Sequence, residues 1–110
     1  MPQVPELTPT EFRRRWPVGE ARAAVLLDVR EPAELGQASV PEAVHMPMRE
    51  VPERLDELDA DRPLVVMCHS GARSRRVAEY LLSNGFDEVY NLAGGIDAWS
   101  REIDARVPRY

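Results

Sequence analysis

The chain has 110 residues, the length of one domain with a single core. Its 14 basic and 19 acidic residues give a formal net charge of −5, which opposes general binding to nucleic acid or anionic membrane. Every basic residue is arginine and only one cysteine is present, which excludes lysine Schiff-base chemistry, a P-loop lysine, an intramolecular disulfide and a CxxC pair.

Thr8-Pro9-Thr10-Glu11 has the Thr-x-x-Glu spacing of a capping box with proline at the first helical position, predicting a helix over Pro9–Arg15 that stops before Pro17. The apolar run Ala23–Val29 suits a strand buried on both faces. Glu31–Leu35 reads as one helical turn and Ala43–Met46 as a short strand ended by Pro47. Val51, Leu55 and Leu58 recur at helical spacing and predict a helix over Arg49–Leu58. Leu64–Met67 is the next buried strand. From Arg73, the positions Val77, Ala78, Leu81 and Leu82 share one helical face, and Asn84-Gly85 stops the helix. Glu88–Leu92 reads as a strand, Gly94-Gly95 as a turn and Ile96–Ile103 as an amphipathic helix, with the tail Asp104–Tyr110 against the surface. This alternation is that of an α/β fold with a parallel sheet and helices on both faces. Four strands are legible, and a fifth is to be sought in the N-terminal third. Ligands in such folds bind beyond the carboxyl ends of the strands, where Cys68 falls.

The chemistry concentrates in Leu64-Val65-Val66-Met67-Cys68-His69-Ser70-Gly71-Ala72-Arg73-Ser74. Small residues at Ser70, Gly71 and Ala72 let the backbone curl so that successive N–H groups point at the sulfur. That nest and the positive end of the following helix favour an anion, hence a thiolate with lowered pKa. Arg73, Arg75 and Arg76 form a local basic mouth suited to an anionic sulfur donor. Each residue also has a plainer reading. Cys68 could be a small buried hydrophobe. Arg73, opposed to the helix dipole, needs a carboxylate partner, for which Asp28 is a candidate. Arg75 and Arg76 could be a solvated helix face. His69 could tune the thiolate or sit on the rim, and His45 reads as a strand-end residue. One cysteine and two histidines make a structural zinc site improbable.

Three segments carry a family resemblance that spans nearly the whole chain. Leu27-Asp28-Val29-Arg30-Glu31-Pro32-Ala33-Glu34, Cys68-His69-Ser70-Gly71-Ala72-Arg73-Ser74 and Asn91-Leu92-Ala93-Gly94-Gly95-Ile96-Asp97-Ala98-Trp99 resemble, in order, motifs of the rhodanese family. The resemblance implies a single rhodanese-like domain over 1–110, with five parallel strands flanked by helices. It implies a persulfide on Cys68, a substrate cradle of His69, Ser70, Gly71, Ala72 and Arg73, and structural roles for Asp28 and Arg30, with Arg30 paired to Glu34. It departs at Ala38-Ser39-Val40-Pro41-Glu42-Ala43, where family members often read Gly-His-Ile-Pro-Gly-Ala. The missing histidine belongs to the scaffold, so the turn before Pro41, not the nucleophile, is affected.

The expected activity is sulfur transfer from an anionic donor such as thiosulfate to cyanide in an assay or to a cellular thiol, a small redox protein among the candidates. No metal or organic cofactor is expected. Rival readings are a sulfur-relay carrier loaded by a protein partner, a non-catalytic binding module, and a cysteine-dependent phosphatase or arsenate reductase. Those last enzymes resemble a Cys-x5-Arg pattern, whereas four residues separate Cys68 from Arg73 here. Uncharged apolar runs such as Ala23–Leu27 are too short to cross a bilayer, and the N-terminal stretch has neither a basic nor an apolar leader region, so a cytoplasmic location is expected.

Overall fold

Five strands make one parallel sheet in the order β1-β5-β4-β2-β3, in a computed structural model that describes residues 3–17 and 23–110. Met1 and Pro2, which open the N-terminal stretch read above, lie outside the described residues. The strands are β1 Glu6–Leu7, β2 Val25–Asp28, β3 Val44–His45, β4 Leu64–Met67 and β5 Val89–Leu92. Central β4 pairs with β2 and β5, and each of its four residues is fully buried, which is why Leu-Val-Val-Met shows no polar alternation. Outermost β1 is the fifth strand that the sequence leaves unplaced.

Among the described residues four α-helices accompany the sheet: α1 Pro9–Arg15, α2 Pro32–Leu35, α3 Ala72–Leu82 and α4 Gly95–Glu102. The predicted capping box starts α1: Glu11 N–H donates to Thr8 Oγ1 at 3.1 Å, and Thr8 N–H donates to the Glu11 carboxylate at 2.9 Å. The helix expected over Arg49–Leu58 differs in kind. It is a 3₁₀ segment over Met48–Glu57 with a break at Arg54, where φ is −120° and ψ is 22°. Pro52 inside it has no N–H to give an α-helical ladder, and in an α-helix its ring would clash with the carbonyl of Met48 four residues earlier, so the tighter turn is adopted.

Side chains alternate across the sheet, so residues 64, 66 and 68 face one layer and 65 and 67 the other. On the first face α3 and the 3₁₀ segment bring Val77, Ala78, Leu81 and Val51 onto Leu27, Leu64, Val66 and Cys68. On the second, Phe12 of α1 and Ile96 and Trp99 of α4 pack against Leu26, Val65, Met67 and Leu92. The tail returns along this second layer. Val107 is buried and its carbonyl accepts from Ser100 Oγ at 2.6 Å, which directs Tyr110 toward the carboxyl end of the sheet.

The turn before Pro41 closes without the family's histidine. Ala38 and Val40 are buried, Ser39 is exposed in the histidine's place, and Ala43 N–H donates to Val40 O at 3.0 Å. Arg30 Nη2 donates to Ala38 O at 2.8 Å and ties the segment to the end of β2.

Candidate active site

Immediately after β4 the chain curls around the sulfur of Cys68. The turn needs Gly71, whose φ of +118° lies in the left-handed region open to glycine. Gly71 is also the N-cap of α3, yet no side chain caps that helix. The sulfur takes the place of a capping oxygen: Gly71 N–H donates to Cys68 Sγ at 3.1 Å and Ser74 Oγ approaches it at 3.3 Å. Cys68 is 1% exposed and Ser74 fully buried, so these bonds act in a water-poor setting. Burial alone would push the thiol up. The Ser74 hydroxyl and the backbone N–H groups of Ser74, Gly71 and Ser70 outweigh it and hold Cys68 below the ordinary thiol value.

The N–H groups point inward because the loop's carbonyls are engaged elsewhere. Cys68 O and His69 O accept from the Ile96 and Asp97 N–H groups at the start of α4, at 2.9 and 3.2 Å. This requires the backbones to touch. A β-carbon on Gly95, whose φ is +59°, would lie 2.4 Å from both carbonyl oxygens. The Gly94-Gly95 turn, far from Cys68 in sequence, is therefore part of the cradle's frame.

Around the cradle runs a rim of paired side chains, and here two expected pairings are corrected. Arg73 binds Glu34, not Asp28, with Nη1 and Nη2 donating to the two carboxylate oxygens at 2.6 and 2.9 Å. Arg30 binds the Asp28 carboxylate instead, through Nη2 at 2.7 Å and Nε at 3.0 Å, and reaches Glu34 only at its backbone carbonyl, at 3.4 Å. The reason is burial. Asp28 ends β2 at 2% exposure with fully buried Arg30 two residues on, while Glu34 on α2 stands over the loop. Tyr110 OH links the two pairs, accepting from Arg30 Nη1 at 3.0 Å and donating to Glu34 at 2.7 Å. Hydrogen bonding from Arg73, against the opposing effect of burial, holds the Glu34 carboxyl at about 2. The Tyr110 ring stacks on His69 with centroids 4.1 Å apart and planes 10° from parallel.

The profile of the Rhodanese-like domain family matches residues 8–102. The chain belongs to this family. It is 42% identical over 84 residues to a sulfurtransferase of Allochromatium vinosum, covering 76% of this chain and 78% of that protein. It is 39% identical over 95 residues to the thiosulfate sulfurtransferase GlpE of Pseudomonas syringae, covering 82% and 89%. A crystal structure of a rhodanese-related protein from Thermoplasma volcanium superposes with a TM-score of 0.78 at 28% identity, over 90% of this chain and 93% of that one.

Within this rhodanese domain the six site residues read from sequence come together, with different parts to play. Cys68 lies at the base of the cradle, Ser70 and Gly71 supply N–H groups, Ala72 opens α3 on the exposed side, and His69 and Arg73 belong to the rim. Of the three arginines expected at the mouth, Arg73 shares its charge with Glu34 and Arg75 lies 3.5 Å from Glu6, while Arg76 is exposed. His45 ends β3, as expected, with Nε2 2.8 Å from Arg30 O. Sequence reasoning gives Ser74, Asn91 and Tyr110 no role at the site, and Glu34 only one beside Arg30. Asn91 carried a usable signal, being a lone amide in a buried strand on the same sheet face as Val89. Among the described residues no three His, Cys, Asp or Glu side chains cluster as metal ligands would, and no helix is long and apolar enough to cross a membrane.

Proposed function

We propose that this rhodanese domain is a sulfurtransferase that moves a sulfane sulfur from an anionic donor such as thiosulfate to a thiophilic acceptor through a persulfide on Cys68. The observation that carries the reading is the sulfur of Cys68 set as the acceptor at the start of α3, 3.1 Å from the Gly71 N–H. Relatives named as sulfurtransferases, one of them a thiosulfate sulfurtransferase, support it.

In the first half of the reaction the Cys68 thiolate attacks the outer sulfur of thiosulfate. A sulfur–sulfur bond forms, the bond to the sulfonate sulfur breaks, and sulfite leaves with its electron pair. The negative charge now rests on the outer sulfur of the persulfide, and the N–H groups of residues 70, 71 and 74 stabilise it there. In the second half an acceptor, cyanide in an assay or a low-molecular-weight or protein thiol in the cell, attacks that outer sulfur. Cys68 departs as thiolate, ready for another donor. The chain holds no second cysteine, so resetting depends on an external acceptor. No step calls for a metal or an organic cofactor.

Arg73 has a double assignment in this scheme. Its guanidinium faces the incoming anion from the first turn of α3, while Glu34 fixes its geometry and offsets part of its charge. Turnover of thiosulfate and cyanide to thiocyanate and sulfite, measured for the protein and for Cys68→Ser, tests the proposal. Thiocyanate formation that requires Cys68 is the expected result. A protein that loads sulfur but turns over negligibly is a relay carrier, and one that neither loads nor transfers contradicts the reading.

A further inference from the structure

Ser74 faces two acceptors with one proton. Its Oγ lies 3.3 Å from Cys68 Sγ and also makes a direct hydrogen bond with Asn91 Oδ1. Ser74 is fully buried and Asn91 is 2% exposed, so solvent does not supply a second donor. A serine hydroxyl carries a single hydrogen.

The orientation of Asn91 is not free to relieve the conflict. Its Nδ2 donates to Gly71 O at 3.0 Å and to the Glu6 carboxylate at 3.1 Å, which uses both N–H groups of the amide. Turning the amide over would set its oxygen against a carbonyl and a carboxylate, so Oδ1 must face Ser74. With a neutral sulfur all partners are satisfied, because the Ser74 proton goes to Asn91. With an anionic sulfur, Asn91 and Cys68 require the same proton.

We infer that the Ser74 hydroxyl is a two-position donor, bonded to Asn91 while Cys68 Sγ is uncharged and turned to the sulfur when Sγ is anionic, with Asn91 as a positioning residue that competes for it. The inference rests on the persulfide reading of Cys68. In that cycle Sγ is anionic in the resting protein and becomes an uncharged divalent sulfur when the sulfur–sulfur bond forms. It regains the electron pair when the acceptor removes the outer sulfur. The hydroxyl hydrogen swings back to Asn91 after the first half and returns to Sγ as that bond breaks, helping Cys68 to leave. The proton stays on Ser74 throughout, so only a torsion changes. Glu6, on edge strand β1, thereby helps set the competition through Asn91.

The test is the pH dependence of Cys68 alkylation by iodoacetamide in the sulfur-free protein. Wild type is compared with Ser74→Ala, Asn91→Leu and the double variant. Ser74→Ala should raise the midpoint by roughly one pH unit, and Asn91→Leu should lower it by about half a unit by releasing the hydroxyl to the sulfur. In the Ser74→Ala background Asn91→Leu should add nothing, because its effect runs through the hydroxyl. Cyanide discharge of the persulfide should slow about tenfold in Ser74→Ala, the equivalent of one pH unit of leaving-group stabilisation. If Asn91 only braces Gly71, Asn91→Leu raises the midpoint in both backgrounds, and the inference is overturned. Should Asn91→Leu fail to fold, Ser74→Ala and Ser74→Thr decide the matter. An unchanged midpoint in the alanine variant contradicts the shared donor, and restoration by threonine supports it. Alkylation shifts in a protein that accepts no sulfur would sink the persulfide reading and leave the shared donor standing.

Discussion

Cys68 and Arg73 lie five positions apart, yet they are held in opposite ways. The sulfur is held by a backbone N–H and a hydroxyl at 3.1 and 3.3 Å, inside a frame of glycines and main-chain carbonyls. Arg73 is held by side chains alone, with Glu34 at 2.6 Å and Tyr110 behind it. Apart from the Ser74 hydroxyl, the cradle therefore depends on which residues lack side chains, and the rim on which residues have them. Anion stabilisation built from the backbone is fixed in place and carries no net charge. The rim charge is adjustable, since each arginine there can be offset by a carboxylate.

The largest effect should come from adding one carbon to the frame. Gly95→Ala drives a β-carbon into the carbonyls of Cys68 and His69 at a positive φ, and should cost about 2–4 kcal/mol of stability. Denaturant unfolding measures the loss, and transfer activity should fall with it. An alanine variant as stable and active as wild type would show that the loop is not braced by α4.

Glu34→Gln comes next and separates rim from cradle. It breaks the bidentate pair to Arg73 and should lower stability by about 1–2 kcal/mol, allowing for the partial exposure of both side chains. It also leaves the Arg73 charge uncompensated, so the donor KM should fall even as the protein becomes less stable. The pH dependence has a defined sign. The folded carboxyl, at about 2, lies below its ordinary 4.5, so its contribution is complete above about pH 4.5 and is lost as pH falls toward 2. The stability gap between wild type and Glu34→Gln should close over that window, and a gap that persists at pH 2 would contradict the assignment.

Smaller effects are expected further out. Arg73→Ala should raise the donor KM by a few-fold, with kcat nearly unchanged, because Glu34 already offsets part of its charge. Equal rates at low donor concentration would remove Arg73 from donor recognition. Tyr110→Phe deletes the hydroxyl between Arg30 and Glu34 while keeping the ring over His69, and should cost under about 1 kcal/mol. A larger loss would place the tail among the main supports of the rim.

The cradle was far more legible in the sequence than the rim, for the same physical reason. A continuous apolar strand, a cysteine, small residues and a helix are neighbours in the chain, so Leu64–Met67 and the turn into α3 follow from local rules. The rim pairs join residues 39 and 76 positions apart, for Arg73–Glu34 and Tyr110–Glu34, and nothing local says which carboxylate meets which arginine. Asp28, the partner expected of Arg73, is buried and taken by Arg30 instead. Edge strand β1 is two residues long, too short for any periodicity to mark it, whereas the equally short β3 falls within the predicted strand Ala43–Met46, which Pro47 ends. The change from α to 3₁₀ after Met48 could have been read from Pro52.

The most direct test of a persulfide on Cys68 is intact mass spectrometry after incubation with thiosulfate alone, with released sulfite quantified alongside. Wild type should gain one sulfur atom per chain and release one sulfite, then lose the added sulfur on treatment with cyanide, while Cys68→Ser should do neither. Thiocyanate production by a protein that never gains the sulfur, or by Cys68→Ser, would contradict the account.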